Sequence, residues 1–153
     1  MKKHLHNSLR ALFLSLAVLL SLPMQAEQVE IDGINYELDG MTKQATMIQK
    51  SSGKYSGEII IPEAVEYLGA TYSVTSILNA FNNCYNLSEV AFEAGGTAMT
   101  IGNSAFASCD ALKTIELPAC TTSIGASAFE GTPLIAFTIP ESVTTLGSKA
   151  FKG

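Results

Sequence analysis

The chain reads as a β-rich solenoid of short parallel strands joined by turns or single helical turns, with β-hairpins capping its N-terminus. Three observations predict this class. The dipeptide Ala-Phe recurs at Ala80-Phe81, Ala105-Phe106, Ala128-Phe129 and Ala150-Phe151, with phenylalanine spacings of 25, 23 and 22 residues. The residues around each dipeptide repeat in register. A non-repeating stretch with hairpin signals precedes them. Self-similarity at this period marks units that cannot bury their apolar side chains alone and must stack.

The units are VTSILNAFNNCYNLSEVAF from Val74, MTIGNSAFASCDALKTIEL from Met99, TSIGASAFEGTPLIAFTI from Thr122, and TTLGSKAFKG from Thr144. Each begins with an apolar residue before Gly or Leu: Ile77-Leu78, Ile101-Gly102, Ile124-Gly125 and Leu146-Gly147. Stacking sets each Phe on the next and makes one continuous core. Three residues after the Phe stands Cys84, Cys109 or Thr132, followed by Leu87, Leu112 or Leu134. A short alternating strand closes each unit. Val90, Phe92, Ile115, Leu117, Phe137 and Ile139 are expected to point inward, in a parallel sheet running along the stack. The Ala-Phe segments are too short for helices. The fourth unit is expected to be incomplete, halting at Phe151 before its Leu and strand, with Phe151 exposed or loosely packed.

The motifs TSIGASAF (122–129), AFASCDALKTIELP (105–118) and IPESVTTLGSKAF (139–151) resemble the leucine-rich repeats of the BspA-like family of bacterial surface proteins. The resemblance runs from about Gly57 to the C-terminus. It implies a leucine-rich-repeat solenoid and a role in binding or adhesion.

Residues 27–56 do not repeat and read as an N-terminal β cap, with 57–153 as the repeats. Val29, Ile31, Ile34, Tyr36 and Leu38 flank Asp32-Gly33, a hairpin signal. A strand pair is expected between Ala45–Ile48 and Glu58–Ile61, and a small hairpin over Tyr67–Tyr72 around Leu68-Gly69. Glu58-Ile59-Ile60-Ile61-Pro62 resembles the strand end of a repeat, so the first rung is expected at about Gly57–Val65. The cap covers an otherwise open apolar end. Ahead of it, residues 1–26 read as a secretory signal: Lys2, Lys3 and Arg10 precede an apolar run from Ala11 to Leu22, too short to span a bilayer, and Ala26 offers a cleavage point.

All 14 acidic residues but only six of the nine basic ones lie beyond position 26, which leaves a charge of −8 after cleavage. Nucleic acid and anionic membranes are therefore not expected as partners, and with no second apolar run no membrane insertion is expected after signal removal. Both histidines, His4 and His6, and the only arginine, Arg10, lie in the signal, and the chain has no tryptophan. No imidazole remains for a general base, a catalytic triad or a zinc site. Gly102-Asn103-Ser104 and Gly125-Ala126-Ser127 echo a nucleophile elbow but recur with the repeat and lack a histidine. No catalytic residue, metal or cofactor is expected.

Cys84 and Cys109 fall at equivalent positions and read as a buried ladder of free thiols, an inter-rung disulfide being the alternative. Cys120 falls in the turn slot of Ser142 and reads as exposed. The candidate binding surface is the outward strand face: Glu89, Ala91, Thr114, Glu116, Ala136 and Thr138, with Glu58 and Ile60 on the first rung. Its residues are small and mildly acidic. Any exposed tyrosines are expected in the N-terminal third: Tyr36, Tyr55, Tyr67 and Tyr72. With the resemblance, this gives a secreted or cell-surface protein-binding module, non-enzymatic, whose partner is a host or microbial surface protein. The alternative is a structural or assembly piece, self-associating through its open C-terminal end, or a truncated fragment of a longer repeat protein.

Overall fold

The computed structural model describes residues 26–153, so the expected secretory signal lies, but for Ala26, outside the described residues. Ten strands form among them: β1 (Glu27–Ile31), β2 (Ile34–Asp39), β3 (Gln44–Ile48), β4 (Gly57–Ile61), β5 (Ala64–Tyr67), β6 (Ala70–Ile77), β7 (Leu87–Phe92), β8 (Met99–Ile101), β9 (Thr121–Ile124) and β10 (Thr145–Leu146). They make a long sheet in the order β1-β2-β3-β6-β8-β9-β10, with β5 beside β6, and a short ladder of β4 and β7.

The first hairpin forms as its sequence demands. Asp32 and Gly33 take φ of 50° and 78°, and Ile31 pairs with Ile34 across the two-residue turn. Positive φ at both centres is the turn whose twist matches the flanking strands. Leu68 and Gly69 repeat the device between β5 and β6, with Tyr67 paired to Ala70. The strand pair expected between Ala45–Ile48 and Glu58–Ile61 does not form. β3 uses both its edges, on β2 and on β6, while β4 crosses to the other ladder and pairs with β7.

From β3 onward the long sheet is parallel, and it runs through segments that the alternation did not mark. Ile77, Ile101, Ile124 and Leu146 align in successive strands just before each unit's Gly or Leu. The closing segments, expected to carry the sheet, form only β4–β7 and a single parallel bridge between Thr114 and Ala136. Of the residues expected to point inward, Val90, Ile115 and Leu117 are buried and Phe92 and Phe137 half-buried. Ile139 is instead 45% exposed, because the described residues of the fourth unit include no closing segment to lie over it.

The phenylalanines do stack. Phe81, Phe106, Phe129 and Phe151 follow at centroid distances of 4.9, 5.1 and 5.3 Å, with planes within 13° of parallel. Phe151 lies on Phe129 and against Phe137 yet remains 37% exposed. At the other end Tyr55 tilts onto Phe81, and its hydroxyl donates to the Ile48 carbonyl and accepts the Asn35 N–H. These two bonds tie the aromatic column to β2 and β3. Tyr36, Tyr55 and Tyr72 are thus buried rather than exposed, each filling core next to the first rungs.

No helix forms in the Ala-Phe turns. Asn79, Ser104, Ser127 and Lys149, just before each Ala, hold φ between 51° and 59°, and Asn83, Ser108 and Gly131 are left-handed two residues after each Phe. Left-handed residues interrupt a right-handed helix. The turns bond to the next rung instead: the N–H groups of Phe81, Phe106 and Phe129 donate to the carbonyls of Ala105, Ala128 and Ala150.

Candidate protein-interaction surface

The outward face follows from the alternation in the closing segments, where one set of side chains is consumed by the core. Glu89 on β7 lies across from Glu58 on β4, and Ala91 lies across from Ile60. Thr114 bridges to Ala136, continuing the same rows into the next rungs. Glu89, Thr114, Glu116, Ala136 and Thr138 are exposed, and Ala91 is half-buried. Glu89 and Ala91 therefore lie on the short ladder beside Glu58 and Ile60, and Thr114 and Ala136 lie on the bridge between the later closing segments. Carboxylates, methyl groups and hydroxyls make up that face, and none of its side chains enters an ion pair or hydrogen bond among the described residues.

A second surface lies at the turn edge of the first rungs and was missed in the sequence. Lys54, Tyr55, Ser56, Asn83, Tyr85 and Asn86 line a shallow open cleft. Tyr85 is 54% exposed, and Lys54 Nζ donates to the Asn82 carbonyl at 2.8 Å. The signal was available: Tyr85 holds the slot of Asp110 and Pro133, a position that the repeat leaves on the outside.

The thiols offer no chemistry to this surface. Cys84 and Cys109 are free and fully buried, and the Cys109 thiol donates to the Phe81 carbonyl at 3.1 Å. Burial pushes the Cys109 thiol up to about 12, and raises Cys84 as well. A protonated, enclosed thiol is a poor nucleophile and a poor ligand. Cys120, expected to be exposed, is half-buried, since it lines a small cavity with Val74, Phe92, Met99 and Pro118 while its carbonyl accepts the Met99 N–H. Among the described residues no group of three or more His, Cys, Asp or Glu could hold a metal ion, and no helix is long and apolar enough to cross a membrane.

Stacked rungs with a uniform buried spine and a variable outer face define a repeat scaffold. The family follows from the repeat itself. The model of the BspA type leucine rich repeat region matches residues 58–153 in six copies, and the chain belongs to that family. Comparison with curated proteins finds no match. Among solved structures, the chain is similar to a leucine-rich repeat protein from Bacteroides ovatus, at 28% identity and a TM-score of 0.53, over 80% of this chain and 38% of that one. It is similar to the T. pallidum leucine rich repeat protein TpLRR at 21% identity and a TM-score of 0.59, over 82% of this chain and 67% of that one. The pneumococcal vaccine antigen PcpA shares the fold at 18% identity and a TM-score of 0.54, over 85% of this chain and 48% of that one. The chain thus spans less than half the length of two of these structures. Leucine-rich repeat families of this kind are scaffolds that mediate protein interactions.

Proposed function

We propose that the protein is an exported, surface-associated binding module: a non-enzymatic solenoid that adheres to host or microbial surface proteins. The observation that carries this reading is the division of labour within each rung. The Phe column and the buried Ile and Leu residues are spent on stacking, while the side chains of Glu89, Ala91, Thr114, Glu116, Ala136 and Thr138 enter no hydrogen bond or ion pair among the described residues and vary in chemistry from rung to rung. Export rests on the leader-like sequence at 1–26. Residues 27–56 serve as the cap of the solenoid at 57–153, since β1 and β2 extend the long sheet beyond the first rung and Tyr55 closes the aromatic column.

A pull-down of immobilised protein against extracellular matrix and bacterial surface proteins tests the reading. A partner retained at micromolar concentration and lost on combined substitution of Glu89, Thr114 and Glu116 supports it. A partner indifferent to those changes sinks the assigned face.

A second reading is self-association through the last described rung. Ile135, Ile139, Leu146 and Phe151 are all exposed there, an apolar grouping suited to another rung. Light scattering on the purified protein distinguishes the two: a monodisperse monomer counts against assembly, and association abolished by Phe151→Asp supports it.

A further inference from the structure

The cap extends only one of the two ladders. β1, β2 and β3 continue the long sheet, but β4 pairs with β7 alone, and no described residue pairs with its other edge. The ladder geometry identifies the open groups. Ile61 accepts the Glu93 N–H at 2.9 Å, and Ile61 and Ile59 register with Phe92 and Val90. Backbone polarity alternates along a strand, so Ile59 and Ile61 face β7 while Glu58 and Ile60 aim their N–H and C=O groups the other way. None of those four groups finds a backbone partner among the described residues. Unpaired edges of this kind are templates for strand addition.

The side chains of the same two residues define what fits. Both project onto the outer face, where Ile60 is 54% exposed. Glu58 stands directly across from Glu89, a like-charge pair that is unfavourable on a sheet face. A cation on the strand added at the open side relieves it. Glu63 and Glu93 lie at the far end of β4, with the Glu63 N–H donating to a Glu93 carboxylate oxygen, and they extend the negative field along the edge. We propose that the open edge of β4 binds an extended peptide segment of a partner protein as an added strand, one that carries Lys or Arg opposite Glu58 and an apolar residue two positions away opposite Ile60. The backbone supplies affinity, and the Glu58–Ile60 pair supplies the choice of sequence. This edge site goes beyond the face proposed above and does not depend on it.

The test titrates the purified protein with a short synthetic peptide repeating lysine-threonine-valine-threonine, followed by the backbone amide shifts in nuclear magnetic resonance. Saturable shifts centred on Glu58 and Ile60 are expected, with binding lost when glutamate replaces the lysines. Ile60→Pro removes only an N–H that the fold leaves unused, a place where proline is tolerated. It is expected to weaken binding at least about fivefold, the order of one lost hydrogen bond. The same peptide N-methylated on alternate residues provides a check that leaves the protein intact, and is expected not to bind. Shifts centred instead on Thr114–Thr138, equal affinity for the N-methylated peptide, or absence of any saturable shift at millimolar peptide each overturn the edge site. The first of these outcomes leaves the proposed face standing.

Discussion

The Thr132 hydroxyl accepts the buried N–H of Cys109 at 3.1 Å and donates its own proton to the Phe106 carbonyl. Cys109 makes the equivalent donation one rung earlier, to the Phe81 carbonyl. The slot three residues after each Phe is therefore a hydrogen-bonding position and not merely a small apolar one. Thr132→Val keeps the volume and strands both backbone groups. It is expected to destabilise by about 1–3 kcal/mol, the cost of buried groups left unpaired. Thr132→Ser retains the bonds and loses less. Urea unfolding midpoints of the two variants check this, and equal losses count against the hydrogen-bond reading.

The aromatic column predicts a gradient along the stack. Phe106 is fully buried between Phe81 and Phe129. Phe106→Ala is expected to cost about 3–5 kcal/mol, the range for large aromatic truncations in a core. Phe151 has a stacking neighbour on one face only among the described residues, so Phe151→Ala is expected to cost less than half as much. Denaturant titration of both variants decides it.

The column was legible because its period is written directly in the spacing of Ala-Phe, and stacking at that period has one physical solution. Which segment carries the long sheet was not. Met99–Ile101 is a three-residue strand, too short to show alternation. The pairing of β4 with β7 rather than β3 depends on contacts across 30 residues, which no local pattern encodes. The same limit applies to the sites. Glu89, Thr114 and Glu116 could be placed outside because Val90, Ile115 and Leu117 alternate with them. The open edge of β4 is a property of topology, visible only once the cap is seen to extend the other sheet. The exposed tyrosine is Tyr85 in the repeats and not one of the N-terminal third, where Tyr55 buries its ring and satisfies the hydroxyl on Ile48 and Asn35, partners that no local pattern encodes.

Close approach of the rungs predicts a sharp contrast among glycines. A Cβ on Gly125 would meet the Asn103 nitrogen and the Gly102 carbonyl carbon at 2.6 Å, both backbone atoms that cannot swing aside. Gly147 is tighter, with the Ala126 nitrogen at 2.2 Å. Leu78 fills this slot in its own unit, half-exposed, and Gly102 is the residue that packs down on it. Gly125→Ala is expected to cost about 1–3 kcal/mol through overpacking, while Gly96→Ala, with nothing within 4 Å, stays within about 0.5 kcal/mol of the parent. A thermal melt of each protein separates the two cases, and similar melting temperatures would refute close rung contact.

The buried thiols set the alkaline limit of stability. Burial raises Cys109 from 9.0 to about 12 and raises Cys84 from the same starting value. Above pH 9 the unfolded chain gives up protons that the folded chain keeps, so unfolding is favoured as pH rises. The contribution of Cys109 is fully present below pH 9 and is lost between pH 9 and about 12, at a slope approaching about 1.4 kcal/mol per pH unit for a single group. Tyr36 and Tyr55, raised by burial from 10.0, add loss of the same sign starting later. Urea midpoints are therefore expected to hold steady from pH 6 to 8 and to fall above 9. Cys109→Ser keeps a donor for the Phe81 carbonyl but does not titrate in this range, so its decline between pH 9 and 10 is expected to be visibly shallower. A parent midpoint that stays flat to pH 11, or a variant that falls as steeply as the parent, would show that the thiol is not sealed within the stack.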